Sequence, residues 1–169
     1  VQKLTWMNGQ YMKRLDVDDL VSRYIPFAVR YGLGTKETLS EKREFLRGVV
    51  TSLRERAKTL EELAEMSEFY FTPPKTYDEK GVKKFFSKPN VAELLDKGAD
   101  ALMNLSEWNE GNCEAAYREL IDREGIKSGE LIHPSRLALT GKTVGPGLFE
   151  IMVVLGQDET VSRLRSAAQ

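Results

Sequence analysis

Chemistry has few places to reside in a chain of 169 residues with a single histidine, His133, and a single cysteine, Cys113. One His and one Cys cannot supply the three or four soft ligands of a zinc site, so no metal centre is expected. His133 precedes Pro134 at an expected helix start and reads as a solvent-facing or capping residue. Cys113 shares an apolar stripe with Ala116, Tyr117, Leu120 and Ile121, where a thiol is a small core residue rather than a nucleophile. The "GKT" at Gly141 to Thr143 lacks the upstream glycine of a phosphate-binding loop. No catalytic constellation of nucleophile, base and acid emerges.

Two stretches could still bind a ligand. In "SLRERAK", residues 52–58, a helical reading puts Arg54 and Arg56 on opposite shoulders of the apolar stripe that carries Leu53 and Ala57. At most one of the two then reaches a given pocket, unless both belong to a solvated face. The second stretch, "LIHPSRLALTGKTVGPGLFEIMVVLG" at residues 131–156, breaks two apolar segments with "TGKTVGPG" and restarts on Leu148 and Phe149. Gly145, Pro146 and Gly147 would bend the chain and open a helix whose free N–H groups suit anions or base-edge acceptors. Leu148 and Phe149 would form an apolar shelf on which an unpaired base can stack, with Arg136 offering a forked cation from the preceding helix. Phe149 could equally be core.

The elements that position these residues are helical. A hydrophobic content of 41% with 30% charged residues is ordinary for a soluble globular protein, and a net charge of -1 confines any polyanion site to a local basic patch. Neither a membrane-spanning run nor a signal peptide is seen, and one cysteine fits a reducing compartment, so a soluble cytoplasmic protein is expected. The abrupt start at Val1 reads as a piece of something longer.

"WMNGQYMKRL" predicts a helix broken near Asn8-Gly9 with Trp6, Met7, Tyr11 and Leu15 buried. The next helix is capped by Asp16 or Asp18 and stopped by Gly32, with Pro26 either kinking it or bending a loop. "TLSE" from Thr38 and "TLEE" from Thr59 carry capping-box spacing; the first predicts a helix that buries Leu46, Val49, Val50, Leu53 and Ala57, the second one running through Phe69. Two adjacent prolines in "FTPPKTYDEKG", residues 71–81, mark the best boundary, and the halves are taken as 1–73 and 74–169. Beyond it come helices over "NVAELLDKGADALMNL" and "NCEAAYRELIDREG", the latter stopped by Gly125, and a closing helix capped by Asp158. Period-two alternation is not sustained anywhere, so the fold is expected to be all-α with two helical subdomains.

"WMNGQYMKRLDVDDL", "TLEELAEMSEFYF" and above all "IHPSRLALTGKTVGPGLFEIMVVLG" resemble the C-terminal anticodon-binding region of bacterial-type glutamyl-tRNA synthetases, class I aminoacyl-tRNA synthetases. The similarity spans essentially the whole chain; residues 80–112 contribute pattern more than identity. It implies a two-subdomain helical cage that binds the anticodon stem-loop of glutamate tRNA, with no DNA or membrane partner and a monomeric parent ligase. The implied anticodon-binding residues are Arg56, Arg136, Gly145, Pro146, Leu148 and Phe149, with Arg54 and Lys142 as further backbone contacts. Arg56 falls where discriminating members place a base-reading arginine. The H-I-G-H-like and K-M-S-K-like signatures are absent, so ATP and magnesium would belong to a catalytic domain outside this chain, which should bind tRNA without charging it. The competing reading is a helical protein-interaction module with no RNA role.

Overall fold

The computed structural model describes residues 1–169, except for the side chains of Thr5 and Trp6; the expected burial of Trp6 therefore lies outside the described residues. Every regular element among the described residues is helical, as the sequence pattern requires. The chain divides into two compact units, Val1–Thr72 and Pro73–Gln169.

The first unit opens with α1 (Gln2–Arg14), which runs unbroken through Asn8 and Gly9. The expected interruption is absent because tertiary packing outweighs the modest cost of a helical glycine. Gly9 lies against the turn at Lys58, whose Cα would be 3.6 Å from a Cβ at this position. The buried face of α1 is rotated from the expected one: Met12 is enclosed, while Met7 and Tyr11 are 52% and 55% exposed. Helix α2 (Val17–Tyr31) starts at Asp16, whose carboxylate accepts from the Asp18 N–H at 3.0 Å, and stops at Gly32 with φ 87°. Pro26 stays inside it, held by the buried stripe of Leu20, Val21, Tyr24, Ile25 and Ala28.

Helix α3 (Lys36–Ser40) has its capping box at Thr35 and Thr38, three residues before the one expected from "TLSE". Thr35 accepts from the Thr38 N–H at 3.2 Å and Thr38 accepts from the Thr35 N–H at 3.0 Å, so Thr38 lies within the helix. Helix α4 (Arg43–Leu53) buries Leu46, Val49, Val50 and Leu53 as expected but ends a turn before Ala57. Helix α5 (Leu60–Met66) begins as its sequence demands, with Thr59 accepting from the Glu62 N–H and the Glu62 carboxylate from the Lys58 N–H. It stops at buried Ser67 instead of continuing to Phe69, and α6 (Glu68–Phe71) follows. Ser67 bonds the Tyr24 hydroxyl at 2.7 Å, tying this break to α2, against which α4 and α5 also pack.

In the second unit, α7 (Glu79–Gly81) passes into a π-helical turn, Val82–Phe86. Then come α8 (Val91–Met103), α9 (Glu110–Glu124), α10 (Ser128–Thr140), α11 (Leu148–Leu155) and α12 (Gln157–Ala168). Helices α9, α10 and α12 surround α8, burying Leu95, Ala99 and Leu102 with Tyr117, Leu131 and Leu164. Gly98 is required here: a Cβ would lie 2.9 Å from the Tyr117 hydroxyl. That hydroxyl bonds Ser135 Oγ at 2.8 Å, joining α9 to α10, and burial pushes its pKa well above the ordinary tyrosine value. Helix α9 ends on Gly125 with φ 63°. The cap expected at Asp158 is not formed; Gly156 precedes α12, and Asp158 lies in its first turn, where a negative charge complements the helix dipole.

Candidate functional site

Helix α10 starts at Ser128, so His133 and Pro134 lie inside it rather than at its beginning, and Arg136 is two turns in. Its C-terminal glycine, Gly141, adopts φ 76° while its N–H bonds the Leu137 carbonyl at 2.8 Å. A Cβ at Gly141 would meet both Pro74 Cβ and the Thr76 carbonyl at 2.8 Å, and the Gly141 carbonyl accepts from the Asp78 N–H at 2.9 Å. The loop is thereby fastened to residues 74–78. Thr140 closes the other side, its hydroxyl accepting from the Lys142 N–H at 3.1 Å.

Arg136 shapes the next turn. Its Nη1 donates to the Pro146 carbonyl, and a Cβ on Gly145 would sit 3.7 Å from that nitrogen. Pro146 is buried, Gly147 and Lys142 are exposed, and no side chain caps the N-terminus of α11. Three of the expected site residues, Arg136, Gly145 and Pro146, are thus brought together by one hydrogen bond. Leu148 is not where the sequence reading put it: at 3% exposure it is enclosed and offers no shelf. As the first residue of α11 it turns inward, because the short helix must bury an apolar face that also includes Ile151 and Met152. Phe149 is half-buried, its ring edge-on to Tyr117 at 5.8 Å. The apolar group that the loop does present is Val144, 74% exposed, which sequence reasoning missed. Its place among breakers, outside either helical period, was the available signal.

The two arginines of the first unit separate clearly. Arg54 sends Nη2 to the Met12 and Leu15 carbonyls, each at 2.5 Å, placing a cation on the C-terminal end of α1. Its Nε is buried without a hydrogen-bond partner. Arg54, expected as a backbone contact for RNA, is thus part-buried and holds the end of α1. Arg56 is exposed on the turn after α4 and lines a cleft of 580 Å³ with Gly9, Gln10, Lys13 and Lys58. Lys13 pairs with Glu55 across this cleft at 3.4 Å.

The remaining reactive side chains are accounted for by packing. Burial, with a smaller contribution from Glu110, pushes the Cys113 thiol up to about 11. His133 is exposed and stacks on Phe85, with ring centroids 4.9 Å apart. Among the described residues, His, Cys, Asp and Glu form no group able to hold a metal ion, and no helix is long and apolar enough to cross a membrane.

These features define a class: an all-α, two-unit fold that displays a glycine-proline loop and a basic cleft. The sequence profile of the family described as "Anticodon binding domain" matches residues 19–168, and the chain belongs to that family. It is 44% identical over 99% of its length to glutamate–tRNA ligase 1 of Caldanaerobacter subterraneus subsp. tengcongensis. It is 40% identical, also over 99%, to the glutamate–tRNA ligase of Moorella thermoacetica. In both cases the chain spans 34% of the relative's length. A crystal structure of a glutamate tRNA ligase from Elizabethkingia meningosepticum shares the fold, with TM-score 0.87 and 23% identity over 99% of this chain and 32% of that one.

Proposed function

We propose that this chain is the anticodon-binding part of a glutamate–tRNA ligase and recognises the anticodon stem-loop of glutamate tRNA. The observation that carries the reading is the family match over residues 19–168, a span that takes in both units. The whole enzyme attaches glutamate to its tRNA with ATP and magnesium, held by a catalytic domain outside these residues. It works in the cytoplasm, where tRNA is charged.

The loop geometry supports a division of labour. Arg136 fixes the Gly145–Pro146 turn through the Pro146 carbonyl, and the α11 N-terminus and Val144 then face the RNA. Phe149 is half-buried against Tyr117 and offers the RNA its remaining exposed part, while Leu148 holds α11 in place from the core. Arg56 reads the third anticodon base. An arginine donates and never accepts, so it suits cytosine, whose Watson–Crick edge offers O2 and N3, over guanine, whose edge offers N1–H and N2–H. The preference for glutamate over glutamine anticodons is then about 1–3 kcal/mol.

The test is to charge glutamate and glutamine tRNAs with the full-length ligase and with its Arg56→Gln variant. Loss of preference on substitution is the expected result. Equal use of both by the wild type, or an unchanged ratio in the variant, would overturn the assignment of Arg56.

A further inference from the structure

Lys80, Lys83, Lys84 and Lys88 fall within nine residues that contain no carboxylate, on a chain whose net charge is -1. All four are exposed, on α7, the π-helical turn and the residues just after it. Exposed Lys127, the residue preceding α10, shares a cleft with Lys88. Several other cations of this unit behave differently: Lys97, Arg118, Arg123, Arg163 and Arg165 each pair with a carboxylate, whereas exposed Lys75 and Lys142 do not among the described residues. Neither Lys127 nor any lysine of the 80–88 run has such a partner among the described residues. Lys88 and Lys127 line the same cleft, and like charges brought together in this way repel one another, an arrangement that a polyanion would relieve.

Aromatic groups accompany the charge. The π turn sends its two adjacent phenylalanines apart: Phe86 meets Tyr77 edge-on at 5.2 Å, and Phe85 stacks with His133 at 4.9 Å and an interplanar angle of 25°. Such turns occur often at functional positions. Lys84 Nζ stands 5.3 Å from the Phe85 ring centre. Phe85 and His133 line a cleft of 290 Å³ with Lys88, Lys127, Gly129 and Glu130, and Lys84 stands at its edge through the Phe85 ring. Glu130, which accepts from the Lys127 N–H at 2.8 Å, is the one carboxylate lining this cleft, against the two ammonium groups of Lys88 and Lys127. Gly129 leaves room for the imidazole: a Cβ would come within 3.1 Å of His133 Cδ2.

This surface is continuous with the loop already described. A Cβ on Gly81 would lie 2.7 Å from Thr143 Cγ2, so α7 packs on the loop with nothing between them. On α10, His133 and Arg136 are three residues apart and share a face. From the lysine run the track passes through Phe85 and His133 to Arg136 and the Gly145–Pro146 turn. Cationic grooves interleaved with aromatic rings follow the backbone of single-stranded nucleic acid.

We propose that Lys84, Lys88 and Lys127, together with the Phe85–His133 stack, form a second RNA contact that holds the phosphodiester backbone of the tRNA strand leading into the anticodon turn. This rests on the tRNA reading above and extends it to residues with no assigned part in it. The lysines contribute affinity and salt dependence, not base preference, because phosphate contacts carry no sequence information.

The test measures binding of a glutamate tRNA transcript to the full-length ligase, from 0.05 to 0.5 M salt, for wild type and for the triple variant Lys84→Gln, Lys88→Gln, Lys127→Gln. With about 0.7 counterions released per contact on a single strand, the variant's salt slope falls by about 2, and binding at 0.1 M salt weakens by about 10- to 100-fold. The preference for glutamate over glutamine tRNA stays unchanged, and so does the melting temperature, because all three side chains are exposed. If wild type binds the transcript and the variant shows the same slope and affinity, the surface serves some other partner and the proposal fails while the tRNA reading stands. If wild type does not bind the transcript, both fall together.

Discussion

Replacing Gly141 by alanine tests whether the loop owes its shape to the fastening at its first residue. The backbone there has φ 76°, a left-handed conformation that costs an L-residue about 1–2 kcal/mol. The new Cβ would also sit 2.8 Å from Pro74 Cβ and from the Thr76 carbonyl, and backbone cannot swing aside as a flexible side chain does. Relief requires the loop to back away from residues 74–78, which stretches the bond from the Asp78 N–H to the Gly141 carbonyl, worth about 1 kcal/mol. The sum is about 2–4 kcal/mol, or on the order of 10 °C in melting temperature. Gly147 is the internal control: its φ of -56° suits any residue, and the atoms nearest an added Cβ belong to the Glu150 side chain at 4.0 Å. Gly147→Ala should therefore melt within about 2 °C of wild type, a loss below 0.5 kcal/mol. Thermal unfolding followed by circular dichroism reads both. An unchanged melting temperature for Gly141→Ala, or equal losses for the two, would refute the argument from close approach.

Leu148 and Val144 should separate stability from binding. Leu148→Ala, at a position 3% exposed, is expected to cost about 2–5 kcal/mol in urea denaturation, whereas Val144→Ala should leave stability within about 0.5 kcal/mol and weaken tRNA binding several-fold. A destabilised Val144→Ala would mean that the loop crest is structural. The Cys113 thiol, pushed up to about 11 by burial, stays protonated in the folded chain at neutral pH and should react with a thiol reagent only as fast as the fold opens. Raising the pH from 7 to 9 should do little beyond what opening allows, and rapid labelling at pH 7 would contradict that burial.

Local rules left their mark on the sequence wherever one residue contacts a near neighbour along the chain. Thr59 with Glu62, Asp16 (read as one of two candidates with Asp18) before α2, and the glycines that end α2 and α9 are caps set by hydrogen bonds within a single turn, and these are legible. The buried stripe of α4 was equally plain, as was the all-helical class, because helical periodicity is a property of the chain alone.

Contacts between distant residues decided the rest. Helix α1 crosses Asn8-Gly9 intact because it lies against the turn at Lys58, and Ser67 ends α5 while bonded to Tyr24, 43 residues away. Arg54 serves the end of α1 while Arg56 stays in solvent, a choice between equivalent shoulders that only the position of α1 could make. The same is true of the loop. Its breakers announced a turn, but Leu148 went inward and Val144 outward because α11, at eight residues, has one apolar face to bury. The juxtaposition of Phe85 with His133, 48 positions apart in sequence, could not be read from spacing at all. Sequence determined which segments become helices and where most of them stop; which side of each helix is hidden depended on neighbours that only the folded chain supplies.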